Sequence, residues 1–179
     1  MSIAEKYRPH YTYNDYCLWE GRWELIEGMP YAMSPAPTPR HQLIATELGA
    51  KFSIALKGCR KCRVFQPIDW KMADDTVVQP DLSVLCRPIK NLVYIDFPPA
   101  LVVEILTPST AIKDRREKFE LYAKQGVKYY LIIDPSFNKV EIFELINNTY
   151  QAVAVNPDTY DFLIEDCTAG ISFTGLFEQ

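Results

Sequence analysis

Two carboxylates occupy stretches of the chain whose other residues are typical of buried strands. Asp81 follows a proline in VVQPDLSVLC, and Glu104 interrupts the apolar run ALVVEIL. Burying even a neutral polar group without a partner costs about 2–7 kcal/mol, so a glutamate in such a run predicts a cation beside it. Two carboxylates on neighbouring strands can share one divalent cation, and oxygen ligands with room for water suit Mg²⁺ or Mn²⁺. The pair predicts a metal site that could stabilise charge on a phosphoryl group and activate water.

Each carboxylate also has a simpler interpretation. Glu104 lies near the carboxyl end of its strand, where α/β sheets tend to place ligands. An acid at that position can equally reach solvent or pair with a lysine. Pro80-Asp81 is a dipeptide that is common in turns. The metal interpretation therefore depends on the two side chains converging.

Three further polar residues could act beside such a site. Lys118 and Tyr122 lie at i and i+4 of a predicted helix, so they share one face and could orient water or hold a phosphate. A solvated lysine on an exposed face is the alternative. His41 begins the first clear helix and could contact phosphate together with the backbone N–H groups there. An ordinary surface histidine explains it equally well.

The elements that must position these residues form a strand–helix–strand unit. Residues 100–106 and 128–135 are nearly all apolar, which is typical of strands covered on both faces. Between them, Asp114-x-x-Glu117 predicts a capping box for a helix that ends near Gln125, before Gly126. Such a unit predicts a parallel strand pair. With hairpins on either side, the fold class is α/β or α+β, a mixed sheet with a helix on each face.

The remaining elements follow from periodicity and turn residues. A capped helix at 12–18 lies within an aromatic segment, residues 1–20, that is typical of a docking segment. The other predictions are a β-hairpin at 22–33 around Glu27-Gly28, a rigid proline-rich connection at 34–40, a helix at 41–57 ended by Gly58, strands at 64–73 and 76–86, a strand pair at 139–146 and 150–155 across Asn147-Asn148, and a C-terminal tail covering a sheet edge.

Length and composition fit one domain, residues 1–179, with 48% hydrophobic and 23% charged residues. No apolar run approaches the ~18 residues of a membrane span, and the N-terminus lacks the apolar core of a secretory signal. We therefore expect a cytoplasmic protein with no membrane partner. Nucleotide-binding glycine motifs and the G-x-S-x-G nucleophile motif are absent from the sequence.

The net charge of −4 argues against a protein that coats nucleic acid by bulk electrostatics. It does not exclude a nuclease, whose basic groups need only line one groove. Basic residues do cluster locally, and each cluster is typical of a solvated face or of such a groove. The clusters are Arg60, Lys61 and Arg63, and then Lys113, Arg115, Arg116 and Lys118.

Five cysteines, an odd number, predict reduced thiols in a chain without a secretory signal. Cys59 and Cys62 form one Cys-x-x-Cys. A structural zinc site needs four ligands, and the sequence shows no second pair beside this one. Structural or incidental thiols are the favoured interpretation, and a metal or redox role is the alternative.

Together these residues resemble a known family. Pro80-Asp81, Glu104 in VVEILTPST, Asp114, Lys118, Tyr122 and the stretch GVKYYLIIDP are similar to the Uma-two family of restriction-endonuclease-like proteins, in the PD-(D/E)xK nuclease superfamily. The upstream WELIEGMPYAMSPAPTPRHQ resembles the hairpin, the proline-rich connection and the first helix of that family.

The resemblance implies a restriction-endonuclease-like core over residues 22–155, with a mixed sheet flanked by helices and an N-terminal β-hairpin. It implies that Asp81 and Glu104 bind Mg²⁺ and that the reaction is hydrolysis of a DNA phosphodiester. The superfamily pattern has a lysine two residues after the acid. That position is Leu106 here, so the resemblance makes Lys118 on the following helix the candidate catalytic lysine.

Two functions follow as hypotheses. The first is a Mg²⁺-dependent DNA endonuclease. The second is a catalytically inactive nuclease-fold protein that binds nucleic acid or a protein partner, and the missing lysine at position 106 and the acidic net charge favour it. The aromatic N-terminus and the C-terminal tail predict a homodimer under either hypothesis.

Overall fold

The computed structural model describes residues 9–33 and 36–178. Its helices are α1 (Tyr13–Tyr16), α2 (Pro39–Ala55), α3 (Ala111–Arg115) and α4 (Glu117–Gln125). Its strands are β1 (Trp23–Ile26), β2 (Met29–Ala32), β3 (Arg63–Phe65), β4 (Trp70–Ala73), β5 (Thr76–Val78), β6 (Leu82–Leu85), β7 (Leu101–Ile105), β8 (Tyr129–Asp134), β9 (Lys139–Ile146), β10 (Thr149–Val155), β11 (Thr159–Ile164) and β12 (Cys167–Ser172).

The largest sheet, called the central sheet here, holds six strands in the order β10-β9-β8-β7-β6-β3. β7 and β8 run parallel and are joined through α3 and α4. The other neighbouring pairs in this sheet are antiparallel. A parallel pair needs a crossover connection, and the helical segment supplies it. The prediction of a mixed sheet built on a strand–helix–strand unit is confirmed.

Successive side chains of β7 point to opposite faces of the central sheet, and different elements cover the two faces. Leu101, Val103 and Ile105 pack with α2 and with the hairpin of β11 and β12. Val102 packs on the opposite face with α4 and with a second sheet of order β2-β1-β5-β4. The predicted helix on each face is confirmed. Because side chains alternate along a strand, Glu104 shares the face of Val102 and lies between α4 and the second sheet.

Two strand predictions are wrong for the same reason. Residues 64–73 divide between β3 in the central sheet and β4 in the second sheet, and residues 76–86 divide between β5 and β6. Pro67 and Pro80 lie in the two gaps. Proline has no N–H to donate to a sheet ladder, so each segment leaves one sheet there and joins the other. The second of these crossings comes immediately before Asp81.

The predicted capping box at Asp114-x-x-Glu117 is wrong. The segment forms two helices, α3 and α4, separated at Arg116, whose φ is −122° and ψ is −77°. Neither helix begins with a side-chain cap. The carboxylate of Asp114 is buried instead of facing backbone N–H groups. The predicted end of α4 is confirmed, because Gly126 follows it with a φ of +82°.

The first long helix begins earlier than predicted, at Pro39. Thr38 caps it, and its hydroxyl accepts a hydrogen bond from the backbone N–H of His41 at 3.3 Å. The helix is closed by Leu56, so Gly58 is not its C-cap glycine. Proline at the first helical position needs no hydrogen-bond partner for its nitrogen, which explains the earlier start.

Both predicted turns are confirmed. Glu27-Gly28 joins β1 to β2 and Asn147-Asn148 joins β9 to β10, with positive φ at all four residues. The hairpin of β11 and β12 was not predicted. Its residues include Phe162 and Ile171, which pack against the face of the central sheet instead of an edge.

Four of the cysteines are joined in pairs, Cys59 to Cys167 and Cys62 to Cys86, and Cys17 is free and exposed. The prediction of reduced thiols is therefore wrong for these four cysteines in the structure. The odd number of cysteines in the sequence is due to the free thiol of Cys17. The bonded residues are 108 and 24 positions apart in the chain. Sequence spacing could not reveal such pairs.

The aromatic segment near the N-terminus packs on its own chain. Thr12 caps α1 as predicted, since its backbone N–H donates to the carboxylate of Asp15 at 2.8 Å. Trp19 contacts Tyr16 and Trp23. Residues 1–8 of the predicted docking segment and residues 34–35 of the proline-rich connection lie outside the described residues. None of the helices in the described ranges has the length and apolarity needed to cross a membrane.

Candidate active site

Asp81 lies where the chain crosses from the second sheet into the central sheet. β6 and β7 pair with Leu82 opposite Val103, and Asp81 and Glu104 are the residues next to this last pair. Oδ2 of Asp81 accepts a hydrogen bond from the backbone N–H of Ile105 at 2.8 Å. Asp81 and Glu104 line the same cavity, which has a volume of about 290 Å³.

The carboxylate of Glu104 is held on one side only. Its Oε1 accepts hydrogen bonds from Nζ of Lys118 at 2.9 Å and from the hydroxyl of Tyr122 at 2.6 Å. Its Oε2 accepts none from the described residues. Burial raises the pKa of Glu104 well above its usual value, and Asp114 and Asp81 add to this effect while Lys118 opposes it. One oxygen is thus fixed and the other is available to a ligand.

Lys118 joins three acids that come from three different elements. Its ammonium lies 2.7 Å from Oε1 of Glu24, 2.9 Å from Oε1 of Glu104 and 3.4 Å from Oδ1 of Asp114. The residue is only 1% exposed. Burial alone lowers the pKa of Lys118, but Glu104 and Glu24 outweigh it, so the pKa is raised and the group stays charged.

Glu24 and Lys113 also belong to this cluster, although no sequence pattern indicates them, and Asp114 joins it instead of capping a helix. Glu24 lies on β1, is fully buried and forms ion pairs with Lys118 and Lys113. Burial raises its pKa, but the two lysines reverse the shift and the pKa is lowered. Alternation placed Glu24 at a polar position of the hairpin. Its burial arises from α3 and α4, which are distant in sequence.

The cluster contains more carboxyl groups than lysines. Its buried members are the acids Glu24, Asp81, Glu104 and Asp114 and the lysines Lys113 and Lys118. Fully ionised, the four carboxylates leave two negative charges without a counter-charge. One divalent cation would balance them. Mg²⁺ is commonly bound by one or two carboxylates, with water and substrate phosphate completing its shell.

The donor set fits that mode of binding. Across residues 9–33 and 36–178, no group of three or more His, Cys, Asp or Glu side chains forms a ready metal site. Oδ1 of Asp81 and Oε2 of Glu104 receive no hydrogen bond from those residues. A cation in this cavity would therefore rest on Asp81 and Glu104 and draw its remaining ligands from water or substrate.

The two predicted substrate contacts, His41 and Tyr122, occupy different positions relative to the cavity. His41 is buried and lines the cavity, with Nε2 3.2 Å from Oδ2 of Asp81. Its Nδ1 is buried and has no hydrogen-bond partner among the described residues. Tyr122 is fully buried and does not line the cavity. The hydroxyl of Tyr122 donates a hydrogen bond to Oε1 of Glu104 at 2.6 Å.

Comparison with known proteins bears on this arrangement. The model of the Uma2 family, described as "Putative restriction endonuclease", matches residues 12–175. The chain belongs to the Uma2 family. The resemblance seen in the sequence is therefore confirmed, and the match includes every residue of the buried cluster.

Two relatives extend the comparison of this Uma2 protein. The uncharacterized protein slr1290 of Synechocystis sp. (strain ATCC 27184 / PCC 6803 / Kazusa) is 31% identical over 145 residues, which cover 75% of this chain and 74% of that protein. A crystal structure at 1.96 Å resolution of a putative nuclease belonging to DUF820, from Anabaena variabilis ATCC 29413, is similar with a TM-score of 0.73. The identity is 20%, and the match covers 94% of this chain and 98% of that one. The two chains share a fold, and the predicted nuclease-like fold class is confirmed.

Proposed function

We propose that this Uma2 protein is a Mg²⁺-dependent DNA endonuclease that hydrolyses phosphodiester bonds. One observation carries the proposal. Asp81 lies immediately before β6, Glu104 lies on the neighbouring β7, both line one cavity, and Glu104 is hydrogen-bonded to a buried lysine. Family membership supports the same class of reaction.

Asp81 and Glu104 would hold the metal ion, which could also be Mn²⁺. When bound, the ion would stabilise charge developing on the phosphoryl oxygens and lower the pKa of the attacking water. The excess of carboxyl groups over lysines in the buried cluster favours such an ion. The protein's contribution is to hold the two carboxylates in position before substrate arrives.

Each proposed ligand is fixed by a separate contact. The backbone N–H of Ile105 holds Oδ2 of Asp81, and the hydroxyl of Tyr122 holds Oε1 of Glu104. Lys118 is the lysine that we assign to the reaction. Because its ammonium donates to Glu104, it orients that carboxylate and places a positive charge at the cavity wall.

DNA is the proposed partner because cations also line the cavity. Arg22 is exposed there, and its guanidinium donates to the side chain of Gln79. Lys113 lines the same cavity from α3. Such groups attract an anionic backbone in spite of the net charge of −4. Nδ1 of His41 is buried and has no hydrogen-bond partner among the described residues. It would accept a hydrogen bond from substrate or water, or donate one to either.

The experiment compares isosteric variants of the two acids with a matched control. Asp81→Asn and Glu104→Gln are expected to lose more than about 100-fold of both Mn²⁺ affinity and Mg²⁺-dependent cleavage, beyond the 10–100-fold usual for outer-sphere changes. Glu141→Gln is the control, since Glu141 is also buried and ion-paired but lies outside the cavity. Titration calorimetry measures affinity, and plasmid and duplex oligonucleotide substrates measure cleavage.

One feature favours the catalytically inactive alternative. Leu106 occupies the superfamily lysine position and is buried in the apolar cluster beneath α4. An inactive protein that binds DNA or another partner would show no Mn²⁺ binding and equal, metal-independent behaviour of all three variants.

We also propose that the protein is a cytoplasmic homodimer. Light scattering measures the oligomeric state, and a monomer at working concentration would remove that part.

A further inference from the structure

Four cysteines converge at the far end of β6 from Asp81. Cys59 and Cys62 lie in one turn after α2, where the backbone N–H of Cys62 donates to the carbonyl of Cys59 at 3.2 Å. The Cα atoms of Cys59 and Cys167 are 6.0 Å apart, and those of Cys62 and Cys86 are 4.0 Å apart. All four side chains belong to or pack against one hydrophobic cluster.

The fold therefore brings a second pair of cysteines to the Cys-x-x-Cys motif. A lone Cys-x-x-Cys provides half of a tetrahedral thiolate site. Cys86 follows β6 and Cys167 begins β12, and the structure brings one of them to each cysteine of the motif. These residues come from three separate parts of the chain. A shared metal ion would tie the same three parts together.

Basic side chains surround this cluster. Arg60 and Lys61 lie between the motif cysteines, Arg63 follows Cys62, and Arg87 follows Cys86. All four are exposed, and none forms an ion pair with a carboxylate among the described residues. They line a groove of about 550 Å³ that Cys86 also lines and that contains no carboxylate. Nearby cations favour thiolates over thiols and offset the charge of a four-thiolate metal site.

We propose that in the reduced protein Cys59, Cys62, Cys86 and Cys167 bind one zinc ion as a structural site. The disulfides and the zinc site are two states of the same four sulfurs. Two exchanges with a dithiol reductant pass four electrons and four protons to the two disulfides, giving four thiols and two oxidised reductant molecules. Zinc binding then displaces the thiol protons. While the sulfurs are bonded in pairs, no thiolate remains to bind a metal.

The first test measures zinc and free thiols in wild-type protein purified anaerobically with a reductant. We expect one zinc per chain by mass spectrometry of the metal, and replacement by Co²⁺ should give the thiolate-to-metal charge-transfer absorption of a tetrahedral site. Release of zinc by a thiol-modifying reagent should expose the four thiols together. Folded, reduced protein that carries no zinc and takes up none at micromolar concentration would overturn the proposal. So would intact disulfides in protein taken directly from reducing conditions.

Variants then assign the ligands. Cys86→Ser and Cys167→Ser should each lower zinc affinity by more than about 100-fold, which exceeds the usual effect of an outer-sphere change. Cys17→Ser is the matched control and should keep the full zinc content, since Cys17 is exposed and unpaired. Asp81→Asn should also keep its zinc, which separates this site from the proposed magnesium site. Circular dichroism identifies any variant that fails to fold. Full zinc content in folded Cys86→Ser and Cys167→Ser would contradict the assignment.

Discussion

Oδ2 of Asp81 accepts a hydrogen bond of 2.8 Å from the backbone N–H of Ile105, the residue that follows Glu104. This bond couples the segment before β6 to the carboxyl end of β7. It makes Asp81 a structural residue as well as a proposed metal ligand. The two roles predict different consequences for two substitutions at one position.

Asp81→Asn should lose metal affinity yet keep the fold, because an asparagine oxygen can still accept the N–H of Ile105. Asp81→Ala should lose metal affinity and also leave that buried N–H without a partner. Leaving a buried donor unpaired costs about 1–3 kcal/mol. Chemical denaturation should therefore find the alanine variant less stable than the asparagine variant by about that amount. Equal stabilities would show that the bond contributes nothing.

Replacement of Lys118 by methionine should destabilise the protein by about 3–5 kcal/mol, since it leaves buried acids without their counter-charge. Glu24 and Glu104 both bond to that ammonium. Lys124→Met on the same helix is the control, because Lys124 is exposed. Urea unfolding at neutral pH measures both.

The loss in Lys118→Met should shrink as the pH falls. Without the lysine, burial and mutual repulsion raise the pKa values of the acids in the folded state above those in the unfolded state. A group whose folded-state pKa is raised gives stability at low pH that is lost as the pH rises through that pKa. A deficit that stays constant from neutral to acidic pH would contradict this explanation.

Tyr122→Phe removes the hydroxyl that donates to Oε1 of Glu104. We expect a loss of about 1.5–3 kcal/mol of stability, the range for a hydrogen bond to a charged group, and a lower kcat. The KM for DNA should be unchanged, because Tyr122 does not line the cavity. Tyr150→Phe is the control, since that hydroxyl donates to the carbonyl of Val127 away from the site. An increase in KM with unchanged kcat would contradict this expectation and support Tyr122 as a substrate contact.

The affinity for Mn²⁺ should decrease as the pH falls, and the decrease should begin above the usual glutamate pKa of about 4.3. Protonation removes Glu104 as a ligand, and burial raises the pKa of this carboxyl well above that value. Affinity should rise with pH through the raised pKa and then stay level. Calorimetric titration at a series of pH values measures the midpoint. A midpoint at or below the ordinary glutamate value would contradict the role of Glu104.

Much of the architecture could be predicted because short sequence patterns determine several of its turns, helix ends and buried strands. Gly126 ends a helix, Asn147-Asn148 turns a hairpin, and the apolar runs around Glu104 and Ile132 form the parallel pair. Each prediction depends on a few adjacent residues, and neighbouring elements leave them unchanged.

Three of the failures depend on side-chain contacts that the local patterns do not encode. Asp114 has the spacing of a helix cap, but Lys118 and Thr110 draw its carboxylate inward. Glu24 has the alternation of a surface residue, but it is buried and paired with Lys113 of α3 and Lys118 of α4. Cys86 and Cys167 give no sign in the sequence that they meet the Cys-x-x-Cys. No local pattern encodes these pairings, because each is decided by the packing of the sheets.

Glu24 and Glu104 belong to different sheets, and the ammonium of Lys118 contacts both. The N-terminal hairpin and the central sheet therefore cannot separate without stranding a charge in an apolar interior. Partial unfolding that detaches the hairpin should therefore be rare. The backbone amides of β1 should exchange hydrogen only when the whole protein unfolds. Truncation of this hairpin would disrupt the proposed metal site and the cooperativity of the fold in a single step.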